Sequence, residues 1–296
     1  MDYSIIGKKI RELRQVVGIT QGELAEGICT QALISRIEKG DIYPSATALY
    51  QISKKLGVDV NYFFEIGTTP RLDYVLEVER QLRRLRVKHL YGEMMDIVKV
   101  EEKNPNFTQT EPNMQLLLWH RAIYTQEILN DNIEARSLLN RALELTYDTK
   151  KALSEREMEI LLSIGNIDFS EENYDGAITY YEQVKNGLTA SEYIHDKAVK
   201  TRLLYNLARL HTRMGHYAES NKTCMEAIRW SIDQENMYGL GHIHYHIGYN
   251  YELMKQYENA LPYFDKAIFI FELQDEHTYI NYIKKKKEEV IQFSKG

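Results

Sequence analysis

Two stretches of this chain carry side chains of types and spacings that suit molecular recognition. The first is Thr30-Gln31-Ala32-Leu33-Ile34-Ser35-Arg36, where hydroxyl, amide and guanidinium groups line one side of a short segment. Such groups hydrogen-bond the donor and acceptor pattern of base-pair edges. Gln21, ten residues earlier, sits where its amide and a helix N-terminus would meet a phosphate. The second set lies much later, around Tyr205, Asn206 and Arg209 and around His242, Tyr245, His246 and Tyr249. His242 and His246 are one helical turn apart, the beginning of a metal site. No third ligand stands at a suitable spacing, so neither a metal nor any other cofactor is expected. The chain has no phosphate-cradling glycine loop and no nucleophile motif, which argues against an enzyme. Cys29 and Cys224 are too few and too distant for a disulfide framework and read as small buried residues, with redox sensing a minor alternative.

The elements that would position the first set are short helices. Ile6, Ile10, Leu13 and Val17 recur at helical spacing, and Gly18 ends that run. Thr20 and Glu23 form a capping box for a helix over 21–27. Thr30 caps the next, Gly40 stops it, Pro44-Ser45 opens a fourth, and Val60 begins a short fifth. Two short helices joined by a tight turn make a helix-turn-helix. Ile19-Thr20-Gln21, Glu23-Leu24-Ala25, Ile34-Ser35-Arg36-Ile37-Glu38-Lys39-Gly40, Pro44-Ser45 and Leu56-Gly57-Val58 resemble the Xre/Cro-type domain. That resemblance makes Thr30, Gln31, Ala32, Ser35 and Arg36 the candidate base-reading stripe. Leu33, Ile34 and Ile37 anchor the helix. Glu38, acidic and close to where phosphates would lie, reads as a structural partner of an arginine such as Arg14.

A repeat array follows. Segments 161–184, 203–227 and 244–267 align: small residues (Gly165, Ala208, Gly248) precede others (Ala177, Ser220, Ala260) by twelve, with Tyr174, Tyr217 and Tyr257 three before the latter. Trp119, Ala135, Leu139 and Ala142 fit more loosely, and a faint fifth unit spans 72–103. The pattern looks like a degenerate tetratricopeptide repeat. The fold expected is all-α: a five-helix Xre/Cro-type domain, then a right-handed superhelix of about five such repeats and a C-terminal capping helix. The expected boundaries are 1–66 for the DNA module and 67–75 for a linker around Gly67-Thr68-Thr69-Pro70. The repeats would occupy 72–275 and the cap 276–296, with Lys284 to Lys287 as a solvated face. In such arrays the first helix of each pair lines a concave groove. Leu117, His120, Arg121 and Tyr124 would face it, followed by Glu159, Leu162, Ser163 and Asn166. Arg202, Tyr205, Asn206 and Arg209 come next, and His242, Tyr245, His246 and Tyr249 last. Amide, guanidinium, imidazole and phenol groups on one face suit an extended peptide.

Taken whole, the chain resembles the peptide-pheromone receptors of Gram-positive bacteria (the Rap/NprR/PlcR/PrgX group), and PlcR-type transcription regulators in particular. The motifs that carry this are Ile28-Cys29-Thr30-Gln31, Ser35-Arg36-Ile37-Glu38 and Tyr43-Pro44-Ser45, together with the domain order. The resemblance implies a quorum-sensing regulator, activator in sign. A short re-imported peptide would bind the repeats and reset paired DNA modules of a homodimer on a palindromic double-stranded operator. Asn206 matches the family's peptide-gripping asparagine; one repeat earlier the equivalent position is Ser163, with Asn166 a turn away. Arg83, Arg86 and Lys88 could hold an acidic group of the peptide. The alternative is a helix-turn-helix regulator whose repeats bind a protein partner.

Composition sharpens this. Lys and Arg total 37 against 43 Asp and Glu, a net charge of −6, which excludes a polybasic nucleic-acid binder. Residues 1–65 hold eight basic and eight acidic side chains, so the deficit lies in the repeats. Any DNA binding then rests on locally oriented groups in paired modules. Of 22 tyrosines, 18 lie beyond residue 65, where they would pack the repeats and wall the groove. No apolar run approaches a membrane span and the N-terminus lacks signal-peptide character, so a cytoplasmic location without membrane contact is expected.

Overall fold

A computed structural model describes residues 3–69, 71–147, 152–191 and 193–294. Among these residues the chain is helical without strands. The helices are α1 (Tyr3–Val17), α2 (Gln21–Ala25), α3 (Gln31–Lys39), α4 (Ala46–Leu56), α5 (Val60–Thr68), α6 (Leu72–Val87), α7 (Tyr91–Glu101), α8 (Pro105–Thr108) and α9 (Glu111–Glu127). There follow α10 (Asn132–Glu144), α11 (Glu155–Ser170), α12 (Tyr174–Ala190), α13 (Ala198–Arg213), α14 (Tyr217–Asp233), α15 (Leu240–Leu253), α16 (Tyr257–Leu273) and α17 (His277–Ser294). Two compact units result, Met1–His120 and Arg121–Gly296.

The first unit begins with the helix-turn-helix, and its caps follow the sequence closely. Thr20 and Glu23 make both bonds of the capping box. Thr30 and Ser45 accept from the amides of Leu33 and Ala48. Gly40 and Gly57 end α3 and α4 in the left-handed conformation that favours glycine. Ile6, Ile10, Leu24, Ile34, Leu49, Ile52 and Phe63 form the core. At Gly7, α1 passes so near α3 that a Cβ would strike the Ile37 carbonyl. Two boundaries differ from expectation. α2 stops at Ala25, because Gly27 takes a positive φ in the turn. The stretch 67–75 is mostly helical: α5 runs on to Thr68, whose hydroxyl bonds back to the Phe64 and Glu65 carbonyls, and α6 starts at Leu72. Leu72 packs into the helix-turn-helix core, so only Thr69 and Arg71 of that stretch lie outside helices; Pro70 falls outside the described residues.

The second unit is built of antiparallel pairs, α11 with α12, α13 with α14, and α15 with α16. The small residues do what their spacing implies. A Cβ on Gly165 would lie 2.6 Å from the ring of Tyr181, and one on Gly248 would lie 2.7 Å from that of Phe264. Sixteen residues separate the two positions in both pairs, and in the middle pair they hold Ala208 and Cys224. Glycine thus faces an aromatic ring, and in the middle pair Ala208 and the smaller Cys224 are buried in one core cluster. Ala177, Val184, Ser220, Ala227, Ala260 and Ala267 are all fully buried. The turns within successive pairs share a residue with positive φ, at Asn130, Glu172, Gly215 and Lys255, forty to forty-three residues apart.

α17 caps the array by burying Ile280, Ile283 and Val290 against α16. Its lysines are not simply solvated. Lys284 pairs with Glu272 at 3.5 Å and Lys286 with Glu252 at 2.7 Å, while Lys287 pairs with Asp265. Residues 295 and 296 of the expected cap lie outside the described residues.

The glycine–ring contacts make a direct prediction. Gly248→Ala gains helix propensity but overpacks against Phe264, and should lower stability by about 1–3 kcal/mol in urea unfolding. Combined with Phe264→Leu, the double variant should lose clearly less than the sum of the single losses. Strict additivity would refute the close contact.

Candidate nucleic-acid interface and repeat face

On α3 the structure presents Gln31, Ala32 and Arg36 to solvent, with Thr30 exposed at the cap and Ser35 half-buried. Behind them Ile34 and Ile37 are buried, so the helix is anchored by one side and offers the other. The acidic residue on this helix is fully engaged. Glu38, buried, takes Arg14 Nε at 2.5 Å and Arg14 Nη2 at 3.1 Å in a two-pronged pair. A further bond from Arg14 Nη1 to the Ile19 carbonyl, 2.8 Å, fixes the turn before α2. The carboxylate is thereby neutralised beneath the stripe, as the sequence suggested. Gln21 is the exception among the expected DNA contacts. Its Nε2 donates to Glu38 Oε2 at 2.7 Å, so that amide nitrogen serves the ion pair and is not held free for a phosphate. Lys55 ties α4 to the end of α2 by donating to the Glu23 and Glu26 carbonyls.

Among the expected peptide contacts, Arg83, Lys88 and His120 belong to the first unit. Arg83 and Lys88 are exposed, and the Arg86 guanidinium lies 4.3 Å from the Trp119 ring centroid. His120 is 1% exposed, with Nδ1 2.8 Å from the Leu116 carbonyl. It is a packed residue where an exposed one was expected, because α9 is buried from Gln115 through Trp119 and again at Ala122. Arg121 and Tyr124, on the same helix but in the second unit, are half-buried.

The remaining candidates come together on one face of the second unit. Arg209 lies 4.5 Å from the Phe169 ring and 6.0 Å from that of Tyr205. Tyr205 stands edge-on to His246 at 5.7 Å and 6.3 Å from His242. His242 meets Tyr279 at 4.7 Å and Phe271 at 5.0 Å. Tyr245 stacks on Tyr249 at 6.3 Å and exchanges a 3.2 Å hydrogen bond with the hydroxyl of Tyr282. The face is therefore continuous across α11, α13, α15 and α17. Sequence reasoning missed Phe169, Tyr279 and Tyr282, since the first ends its helix and the other two belong to the cap.

Several polar groups of this face are already satisfied. Arg202, expected to face the groove, is paired with Glu159 and, at 2.9 Å, with Asp196. The Asn166 carbonyl accepts from the Tyr181 hydroxyl at 2.9 Å, and the Ser163 hydroxyl donates back to the Glu159 carbonyl. His246 is buried, with Nε2 2.8 Å from the Thr212 hydroxyl. Thr212 also bonds Asn250 Oδ1 at 2.7 Å and the Ser220 hydroxyl at 2.9 Å, and Asn250 Nδ2 reaches Ser220 and Asn221. This network ties α13, α14 and α15 together. Asn206 differs from all of these. The residue is 7% exposed, no side-chain hydrogen bond commits its amide to another of the described residues, and its polar atoms are not among those shut off from solvent.

Among the described residues no group of three or more His, Cys, Asp and Glu side chains is arranged to hold a metal. Burial raises the Cys29 thiol and pushes that of Cys224 up to about 12, so neither has thiolate character near neutrality.

A helix-turn-helix joined to paired helical repeats with a ring-lined face defines the class of protein. Residues 10–63 match a helix-turn-helix family and residues 79–292 match the RNPP family C-terminal domain. The chain belongs to the RNPP family. Among solved structures, Bacillus thuringiensis PlcR in complex with the peptide PapR7 and DNA is similar at 24% identity and TM-score 0.86, over 95% of this chain and 99% of that one. The apo form of PlcR is similar at 22% identity and TM-score 0.66, over 96% and 99%. Streptococcus thermophilus ComR in complex with DNA and its signalling peptide ComS is similar at 16% identity and TM-score 0.65, also over 96% and 99%. No curated protein sequence matches the chain significantly.

Burial carries a pH signature. It lowers the His246 imidazole from 6.5 to about 4; the Ala208 carbonyl acts against this and the Arg209 charge adds to it. Between those values the unfolded chain binds a proton that the folded chain does not. The neutral histidine's contribution is therefore complete above pH 6.5 and is lost as pH falls toward 4, by roughly 3 kcal/mol. Urea unfolding should show this acid loss in the native protein and a shallower one in His246→Gln. Equal slopes would refute the assignment.

Proposed function

We propose that the chain is a DNA-binding transcription regulator that responds to a short peptide held on the ring-lined face of its repeats. It acts as a homodimer on a palindromic operator, in the cytoplasm, as an activator. The observation that carries the peptide reading is Asn206. The side chain is largely buried on the face, but its amide is uncommitted among the described residues and still reaches solvent, so a ligand can take it without breaking an internal bond. An amide offers one acceptor and two donors, which match the C=O and N–H of an extended backbone. Its neighbours on the face are rings and a guanidinium, suited to side chains flanking that backbone. PlcR and ComR have been solved with both DNA and a peptide, which supports the same reading here. For DNA the support is the exposed stripe of Thr30, Gln31, Ala32, Ser35 and Arg36 on an anchored helix. Gln21 contributes to that surface through the pair it braces, Glu38 with Arg14. Arg83 and Lys88, both exposed, remain candidates for an acidic group of the peptide.

Two experiments test this. A specific site selected from random duplexes should lose about 1–3 kcal/mol of binding with Arg36→Ala or Gln31→Ala, with repeat-domain stability unchanged. Unaltered binding would mean that α3 does not read bases. Calorimetric titration with short peptides encoded beside the gene should give heat that Asn206→Ala abolishes. Heat undiminished by that substitution would remove Asn206 from the site. No heat with any peptide would favour a protein partner.

A further inference from the structure

The repeat face carries two half-buried arginines on α13, Arg202 and Arg209, two helical turns apart, and their surroundings differ. Arg202 is neutralised by Glu159 and Asp196. Arg136, another partly buried arginine of the second unit, is likewise held by Asp168 at 2.8 Å and Glu171 at 3.1 Å. Arg209 has no carboxylate within ion-pair distance among the described residues. It is held by rings, 4.5 Å from Phe169 and 6.0 Å from Tyr205. A guanidinium packed by its flat face on a ring keeps its edge donors available, and those donors match a carboxylate in two-pronged geometry. Its charge is also felt locally. After burial, which dominates each shift, the positive charge of Arg209 lowers the Tyr205 and Tyr181 phenols and the His246 imidazole.

This side chain lines a cavity of about 390 Å³ at one end of the face. Arg213, one turn further along α13, lines it too, with Gln126, Asn166, Phe169, Ser170 and Tyr174. Two carboxylates stand on its wall, Glu127 and Glu172, both exposed and neither in ion-pair contact with either arginine among the described residues. The chain as a whole is negative, so it has no general attraction for acids that could imitate a local one.

We infer that Arg209, aided by Arg213, is a carboxylate receptor that fixes one end of the bound peptide. The inference rests on the peptide reading above and adds to it the chemistry that selects the ligand. The carboxylate is either the peptide's C-terminus or an Asp or Glu side chain. Arg202 does not take this role because its charge is already countered by two carboxylates, Glu159 and Asp196. Asn206 grips backbone without regard to sequence, and Arg209 supplies selection for charge.

The test uses three pools of random hexapeptides: free acids, C-terminal amides, and amides made without Asp and Glu. Each is equilibrated with the full-length protein, and retained peptide is quantified by mass spectrometry. The native protein should retain the acid-free pool at least ten-fold less than the free acids. Retention of the second pool at the level of the first places an acidic side chain at Arg209; retention at the level of the third places the terminal carboxylate there. Arg209→Gln should reduce the free-acid pool to the level of the acid-free pool while leaving the latter unchanged. Arg209→Lys, which keeps the charge but loses the ring packing and the fork, should fall between, and thermal unfolding checks that both variants fold. Equal retention of all three pools by the native protein would overturn the receptor and leave the peptide reading intact. Retention of none would overturn both.

Discussion

How closely two helices can approach is the constraint on which the repeat unit depends. In each pair a small residue on the first helix lies sixteen positions before its counterpart on the second, and where the first is glycine the second is a ring: glycine with tyrosine, alanine with cysteine, glycine with phenylalanine. Close-packed interiors allow little else, since a single added carbon on Gly165 or Gly248 would overlap a ring. With the pair spacing set this way, the first helices of successive pairs lie beside one another. Their remaining side chains then form a single continuous face. The continuous face is a by-product of the packing rule.

The helix-turn-helix solves a different problem with an ion pair. An acidic residue under the surface proposed to read DNA would repel phosphates. Here Glu38 is buried and shared by Arg14 and Gln21, so its charge is spent inside the module and at the same time braces α1 against α2 and α3. A buried pair of this kind is no assurance of extra stability, but breaking it strands a charge, which makes the arrangement specific. The exposed stripe is thereby left with uncharged hydrogen-bonding groups and one arginine. A neutral module can then discriminate by fit where a basic one would bind any duplex.

Local signals in the sequence were readable because their physics is local. Thr20, Thr30 and Ser45 cap helices and Gly40 and Gly57 end them, each acting on residues within a turn. The repeats were readable because small residues recur at a fixed spacing. Side-chain commitments were not. Arg202 and Glu159 are 43 residues apart, and nothing in either helix announces that one is the other's counter-ion. Gln21 has the right type for a phosphate, and only the packed structure shows its amide turned to Glu38. The end of α5 was missed for a related reason: Gly67 and Thr68 read as breakers, yet burial of Ile66 and Gly67 carries the helix on. The turns within pairs were invisible for lack of a shared residue signature: of Asn130, Glu172, Gly215 and Lys255, only Gly215 and, less strongly, Asn130 are of types that favour the conformation all four adopt.

The buried Thr212–Ser220–His246–Asn250 cluster bears on how the array comes apart. In a linear stack each pair touches only its neighbours, and stability is a sum of local terms and couplings between them. Hydrogen bonds that cross from α13 and α14 to α15 raise one of those couplings, because opening either pair alone would leave the other's polar groups buried and unpaired. The α13–α14 and α15–α16 pairs are therefore coupled in opening. The Glu159–Arg202 pair makes a link of the same kind from α13 back to α11, so the couplings run along the stack from pair to pair.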